Sequence, residues 1–278
     1  KSTMILGVAG VIVKIIGAFF RIALTNLIHF EGMSYYQQAF PVYSALLIIS
    51  TVGLPIAISK LVSERERIKS ELAIATQIQT GCLENDFSCF NRLEAVKLTA
   101  RMRPAKEVGG DFYDMFMIDE THMCFLIDVS GKGVPAAMFM SMAKTHIKNY
   151  ATLGLPLAEV ASRANNQLCY KNEAMMFVTA FICVLDLETN RVTFINAGHN
   201  LPFVQKADGE FQMITAKANM VLGMMEDVPY REQYLELSKG DCIYLYTDGV
   251  TEALNPKQEL LGDANLTSML NRHREMAG

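Results

Sequence analysis

At 278 residues the chain is long enough for one large domain or two modest ones. A net charge of -4 and a pI of about 5.8 argue against a nucleic-acid partner, and no basic block stands beside an aromatic run. With 51% hydrophobic residues and a mean hydropathy of +0.19, the composition is high for a purely soluble enzyme and points to a membrane-embedded part.

From the N-terminus, two apolar stretches come first. Met4 to Ile28 carries Lys14 and Arg21 among roughly fourteen Leu, Ile, Val and Phe residues. Each cation costs about 2.5 to 3.5 kcal/mol at mid-membrane and each large apolar residue returns about 0.3 to 0.6, so the sum lies near zero. The two cations are seven residues apart, on one helical face that would look into a protein interior. Gly32 to Ser59 holds no charged residue or His and is long enough to span the hydrocarbon layer, with Pro41 and Pro55 near its ends or at a kink. The expectation is a two-helix transmembrane hairpin over residues 1–62. The connection at His29 to Phe40 has no Lys or Arg, whereas Lys60, Arg65, Arg67 and Lys69 follow the second stretch. The positive-inside rule then places both ends of the hairpin, and whatever follows, in the cytoplasm. Six cysteines without a CxxC pair or zinc-ligand spacing read as reduced thiols, which fits that compartment.

The runs Gly10-Val11-Ile12-Val13-Lys14, Arg21-Ile22-Ala23-Leu24-Thr25-Asn26 and Gly53-Leu54-Pro55-Ile56-Ala57-Ile58-Ser59-Lys60 resemble the start of the polysaccharide flippase superfamily, near its stage V sporulation protein B branch. That resemblance covers about the first 65 residues. Such transporters need about a dozen helices, and with two expected here a flippase fragment is the weakest functional alternative.

Residues 63–93 read as a charged linker and connector. Ser63 to Lys69 is densely charged, and Leu72, Ile74, Ile78 and Leu83 recur close to helical spacing. Such a helix would either transmit a signal or simply pack against the following domain.

Residues 94–278 change character. Short β-rich runs (Met123–Ile127, Val178–Leu185, Arg191–Ile195, Cys242–Tyr246) alternate with helical patterns at Ala136–Tyr150 and Leu157–Tyr170. That order predicts an α+β layered domain. In three places an Asp lies at or near the end of a hydrophobic strand beside glycine. These are Asp111 in Val108-Gly109-Gly110-Asp111-Phe112-Tyr113-Asp114, Asp128 in Ile127-Asp128-Val129-Ser130-Gly131-Lys132-Gly133, and Asp248 in Tyr246-Thr247-Asp248-Gly249-Val250. Brought together, such carboxylates form an oxygen-rich pocket for hard divalent cations; each taken alone is also an ordinary turn residue. Glycines 109, 110, 131 and 133 read as tight turns beside the pocket. His199 reads as a turn-fixing residue before it reads as a general acid.

Pro104 to Asp114, Asp128-Val129-Ser130-Gly131-Lys132-Gly133-Val134-Pro135-Ala136-Ala137-Met138, Phe177 to Ala180, Asn196-Ala197-Gly198-His199-Asn200-Leu201-Pro202 and Tyr246 to Ala253 occur in the order of the bacterial metal-dependent (PPM, protein phosphatase 2C-like) phosphatases. The chain resembles their stage II sporulation protein E and RsbU-like branch. The resemblance implies a layered β-sandwich flanked by helices and two Mn²⁺ or Mg²⁺ ions. Asp128 would bridge them, the Val129 carbonyl would bind one, Asp248 would ligate the other, and Asp111 would act directly or through water. It also implies hydrolysis of phosphoserine or phosphothreonine by a metal-activated water, with a phosphorylated anti-sigma-factor antagonist as substrate and a homodimer as one oligomeric option. Family members usually close with a further Asp-Asp segment; here the last Asp is Asp263, so metal affinity and activity are expected to be weakened. A catalytically silent signalling module is the alternative.

Overall fold

The computed structural model describes residues 2–48, 51, 54–83, 87, 90, 96–104, 106–129, 131, 133–207 and 209–273, without the side chains of 2–14, 21, 29, 30, 128 and 129. The chain divides into two compact units, Lys1–Ser70 and Glu71–Gly278.

The first unit corrects the expected hairpin. Helix α1 runs unbroken over Ser2–Ile48, so residues 29–40 are helical rather than a connection between two spans. The reason is local: within residues 29–40 Gly32 is the only glycine and there is no proline, and one glycine costs about 1 kcal/mol, too little to end a long helix. Pro41 lies inside α1, and the second helix, α2 (Leu54–Gly81), starts with Pro55 at its second position, where a missing N–H costs nothing. The division therefore falls inside the stretch read as one span. Among the described residues no helix is long and apolar enough to cross a membrane. The charged run Ser63 to Lys69 lies inside α2, where Lys69 Nζ stands 3.5 Å from Glu66 Oε1.

The second unit is an α+β sandwich. A five-stranded antiparallel sheet is ordered β1-β2-β3-β4-β7, from Phe112–Met117, His122–Val129, Thr179–Asp186, Arg191–Ala197 and Gln233–Glu236. A three-stranded sheet is ordered β6-β5-β8, from Phe211–Met213, Phe203–Gln205 and Cys242–Tyr244. Between β2 and β3 come α3 (Val134–Ala151) and α4 (Leu157–Cys169); after β8 come α5 (Asp248–Thr251) and α6 (Gly262–Arg272).

Strand periodicity explains the layers. On β3, Ala180 and Ile182 join Phe112, Leu126, Phe139, Ile147, Val160 and Leu168 in one core against α3 and α4. The alternate residues Phe181, Cys183 and Leu185 pack with Phe194 and, more loosely, with Ile243 and Leu245 from the region of β8. Both faces of β3 are covered, which is why it reads as a continuous apolar run. The Met-rich segment divides by helical face: Phe139 and Met140 are buried, while Met138 and Met142 are exposed. The described cysteines are free, and burial pushes the Cys183 thiol up to about 12.

Candidate metal centre

Register brings the first two acidic motifs to one sheet end. Phe112 pairs with Asp128 across β1 and β2, so Asp111, immediately before β1, lies next to the Asp128–Val129 segment. On its other side β2 pairs Asp128 with Ala180 and Val129 with Thr179. Asp111 is half-buried. The side chains of Asp128 and Val129, and residues Ser130 and Lys132 of the same motif, lie outside the described residues.

Two of the four glycines named from sequence meet the expectation. Gly131 and Gly133 take φ of +88° and +87°, left-handed backbone that a Cβ disfavours, and Gly133 is the N-cap of α3. Gly109 does not: its φ lies outside that region, and an added Cβ would meet Pro104 Cβ at an ordinary 3.7 Å.

The third motif arrives from the other sheet. The chain leaves β8 through Leu245 and buried Tyr246; Thr247 caps α5 in extended geometry and Asp248 is its first residue, half-buried. His199 ties this turn to the first sheet. Its imidazole Nε2 lies 3.1 Å from the Tyr246 carbonyl, an acceptor, so Nε2 carries the proton and donates. Its backbone N–H donates to Asn196 Oδ1 at 2.7 Å, and Asn196 Nδ2 donates back to the His199 carbonyl at 2.9 Å. Nδ1 makes no hydrogen bond of normal geometry among the described residues. Burial lowers the His199 pKa to about 4, against the Tyr246 and Thr179 backbone and the charge of Asp248, which favour the protonated ring. His199 is therefore neutral at pH 7 with its proton committed to a carbonyl, which supports the turn-fixing reading over the general-acid one.

This connection matters for the geometry. Thr179, beside His199, is the β-partner of Val129, and Tyr246 lies two residues before Asp248. Gly198 reaches the same place: it bridges Ala180, the partner of Asp128. At φ +77°, with a Cβ position 2.6 Å from Val221 Cγ1, only glycine fits there without displacement. Tyr246 is held further by its hydroxyl, which donates to Asp263 Oδ1 at 3.1 Å; burial and the Asp263 charge push its pKa up to about 12. Asp263 thus serves as the anchor of this turn.

Sequence reasoning missed a second charged group. Asp114 is nearly fully buried, accepting the Met115 N–H at 3.0 Å and facing Lys144 and Lys148 of α3 at 3.4 and 3.2 Å. The available signal was the pair of lysines four apart on a helix with an otherwise apolar inner face. Among the described residues no three His, Cys, Asp or Glu side chains form a metal-holding group. The donor chemistry of Asp111, Asp128, Asp248 and the Val129 carbonyl is nevertheless all oxygen, as Mg²⁺ and Mn²⁺ require.

Residues 119–278 match the Stage II sporulation protein E (SpoIIE) family, and residues 1–81 match the Polysaccharide biosynthesis protein family. Over 210 residues, 75% of its length, the chain is 31% identical to the phosphoserine phosphatase RsbU of Bacillus subtilis (strain 168), and it spans 61% of that protein. Over 94 residues, 32% of its length, it is 38% identical to stage V sporulation protein B of the same organism, covering 18% of it. The SiaA-PP2C domain of Pseudomonas aeruginosa has the same fold, with a TM-score of 0.62 at 21% identity over 76% of this chain and 84% of that one. The match to residues 119–278 spans more than half of the chain, and the chain belongs to the Stage II sporulation protein E (SpoIIE) family.

Proposed function

We propose that the chain is a metal-dependent phosphoprotein phosphatase that hydrolyses phosphoserine or phosphothreonine. The observation that carries this reading is the register Phe112–Asp128, with the His199–Tyr246 bond that draws the Asp248 turn toward the same sheet end. The likeness to a protein named phosphoserine phosphatase supports the substrate class.

In this reading Asp111, Asp128, Asp248 and the Val129 carbonyl hold two Mn²⁺ or Mg²⁺ ions. Bound there, such ions lower the pKa of a water to make a nucleophile and neutralise charge on the phosphoryl oxygens. The chain's own part is positional. Gly131 and Gly133 turn the loop after Asp128 without a side chain, keeping space for a phosphoryl group beside the N-terminus of α3. His199, neutral, fixes the approach to Asp248 and leaves proton transfer to solvent.

The substrate is a phosphorylated anti-sigma-factor antagonist, presented on the cytoplasmic side of the cell membrane, with a homodimer as one oligomeric option. Attachment to the bilayer through residues 1–70 is supported by the exposed Ile15, Ile16, Phe19, Phe20, Leu46 and Leu47 of α1 and by the likeness to a polysaccharide biosynthesis family. Membrane fractionation with and without residues 1–70 checks the attachment. The activity is tested by hydrolysis of p-nitrophenyl phosphate and of a phosphoserine protein with Mn²⁺. Turnover is expected to need Mn²⁺ and to vanish in Asp128→Ala; turnover that survives the substitution refutes the reading.

A further inference from the structure

The last two turns of α2 are bonded into the loop that leads to Asp111. Gln79, 8% exposed, donates Nε2–H to the Gly109 carbonyl at 2.5 Å and accepts the Gly109 N–H at Oε1, 3.1 Å away. One turn earlier, Thr76 Oγ1 donates to the Glu107 carbonyl at 2.6 Å. At the helix end Lys144 Nζ donates to the Cys82 carbonyl while it faces Asp114, and Leu83 enters the core of the phosphatase unit.

The domain-facing side is therefore Leu72, Ala75, Thr76, Gln79 and Leu83, whereas Ile74 and Ile78 are exposed. A buried primary amide costs free energy unless its donor and acceptor are both matched. Gln79 spends both on the two backbone groups of a single residue, as a neighbouring β-strand would, and that residue lies two positions before Asp111. Neither bond serves the helix itself, and an apolar residue would fill the same helical position more cheaply.

We infer that Gln79 is a positioning residue: its amide fixes the backbone on both sides of the Gly109 Cα and thereby the direction in which Asp111 leaves the loop. α2 is then a support of the metal centre as well as a connector. The inference rests on the assignment of Asp111 to a cation site, and the experiment separates the two.

Mn²⁺ affinity is measured by titration calorimetry on the full chain, unsubstituted and as Asp111→Ala, Gln79→Leu and Leu83→Ala. The last removes apolar packing at the same helix end and no side-chain hydrogen bond to the loop. Amide hydrogen exchange at Gly109 is followed in parallel. Gln79→Leu is expected to weaken Mn²⁺ binding about tenfold and to accelerate exchange at Gly109. Leu83→Ala is expected to lower thermal stability while keeping the Mn²⁺ affinity within about twofold. Equal affinity in the unsubstituted and Gln79→Leu proteins overturns the inference alone, as does a loss in Leu83→Ala as large as that in Gln79→Leu. Failure of the unsubstituted protein to bind Mn²⁺, or binding unchanged in Asp111→Ala, overturns the assignment of Asp111 and the inference with it.

Discussion

Mild acid should destabilise this protein through a single imidazole. Burial holds His199 at a pKa of about 4, against an ordinary value of 6.5. Above pH 6.5 the ring is neutral in both the folded and unfolded states, and its contribution is fully present. Below that value the unfolded chain binds a proton that the native site refuses, so stability falls until the native ring also titrates near pH 4. A difference of about 2.5 units at 1.36 kcal/mol each gives a loss of about 3 kcal/mol across this window. That is a large share of the about 5–15 kcal/mol by which domains are stable. The lowered carboxylates act elsewhere. Asp119, held at about 2 by hydrogen bonds from the Thr121 backbone and His122, loses its contribution only as pH falls below the ordinary 3.8. Urea unfolding at pH 7, 6, 5 and 4.5 should therefore show a steep decline that His199→Gln flattens, although the variant is less stable at pH 7. An unchanged slope in His199→Gln, or a His199 imidazole that titrates near 6.5 by NMR, refutes the reasoning.

Two further perturbations test the frame around the site. Asp114→Asn leaves Lys144, 14% exposed, facing a neutral group in the interior, and should cost about 3 kcal/mol. Lys148 is 41% exposed and should add less than about 1 kcal/mol of that. Calorimetric unfolding should show a fall of about 6–12 °C, partly recovered when Lys144→Met is added; a fall under about 2 °C contradicts the pairing. Gly198→Ala places a methyl group 2.6 Å from Val221 Cγ1 on left-handed backbone and should cost about 1–3 kcal/mol by urea unfolding. A neutral result contradicts the close approach of that turn to the Val221 segment.

Much of the second unit was legible because its strands obey one simple period. Val178 to Leu185 reads as a buried strand since both of its faces are covered, and Ala136 to Tyr150 keeps a helical stripe. Strands β5 and β6 are three residues long and β7 is four, too short to carry a period, and they remain hidden without their pairing partners. The support shell was hidden for another reason. Gln79 and Asp114 are polar residues buried by distant contacts, with Gly109 and with α3, and local pattern assigns such residues to solvent. On α2 the apolar pattern of Leu72, Ile74, Ile78 and Leu83 is half met: Leu72 and Leu83 lie on the docked face, Ile74 and Ile78 are exposed, and the polar Thr76 and Gln79 take their place. In the first unit, absence of charge reads as a span, and residues 29–40 read as the connection that two spans require. Composition there does not mark a break, since only a cluster of helix-terminating residues does, and residues 29–40 have none.

A phosphatase centre of this kind requires Asp111, Asp128 and Asp248 to meet at shared cations. Crystals grown with MnCl₂, with diffraction recorded at the manganese absorption edge, test this most directly. Two anomalous peaks are expected within about 2.0–2.6 Å of oxygen atoms from Asp128 and Asp248, with Asp111 in direct contact or one water away. A map without such peaks, or one with Asp248 turned away from the β1–β2 end of the sheet, contradicts it.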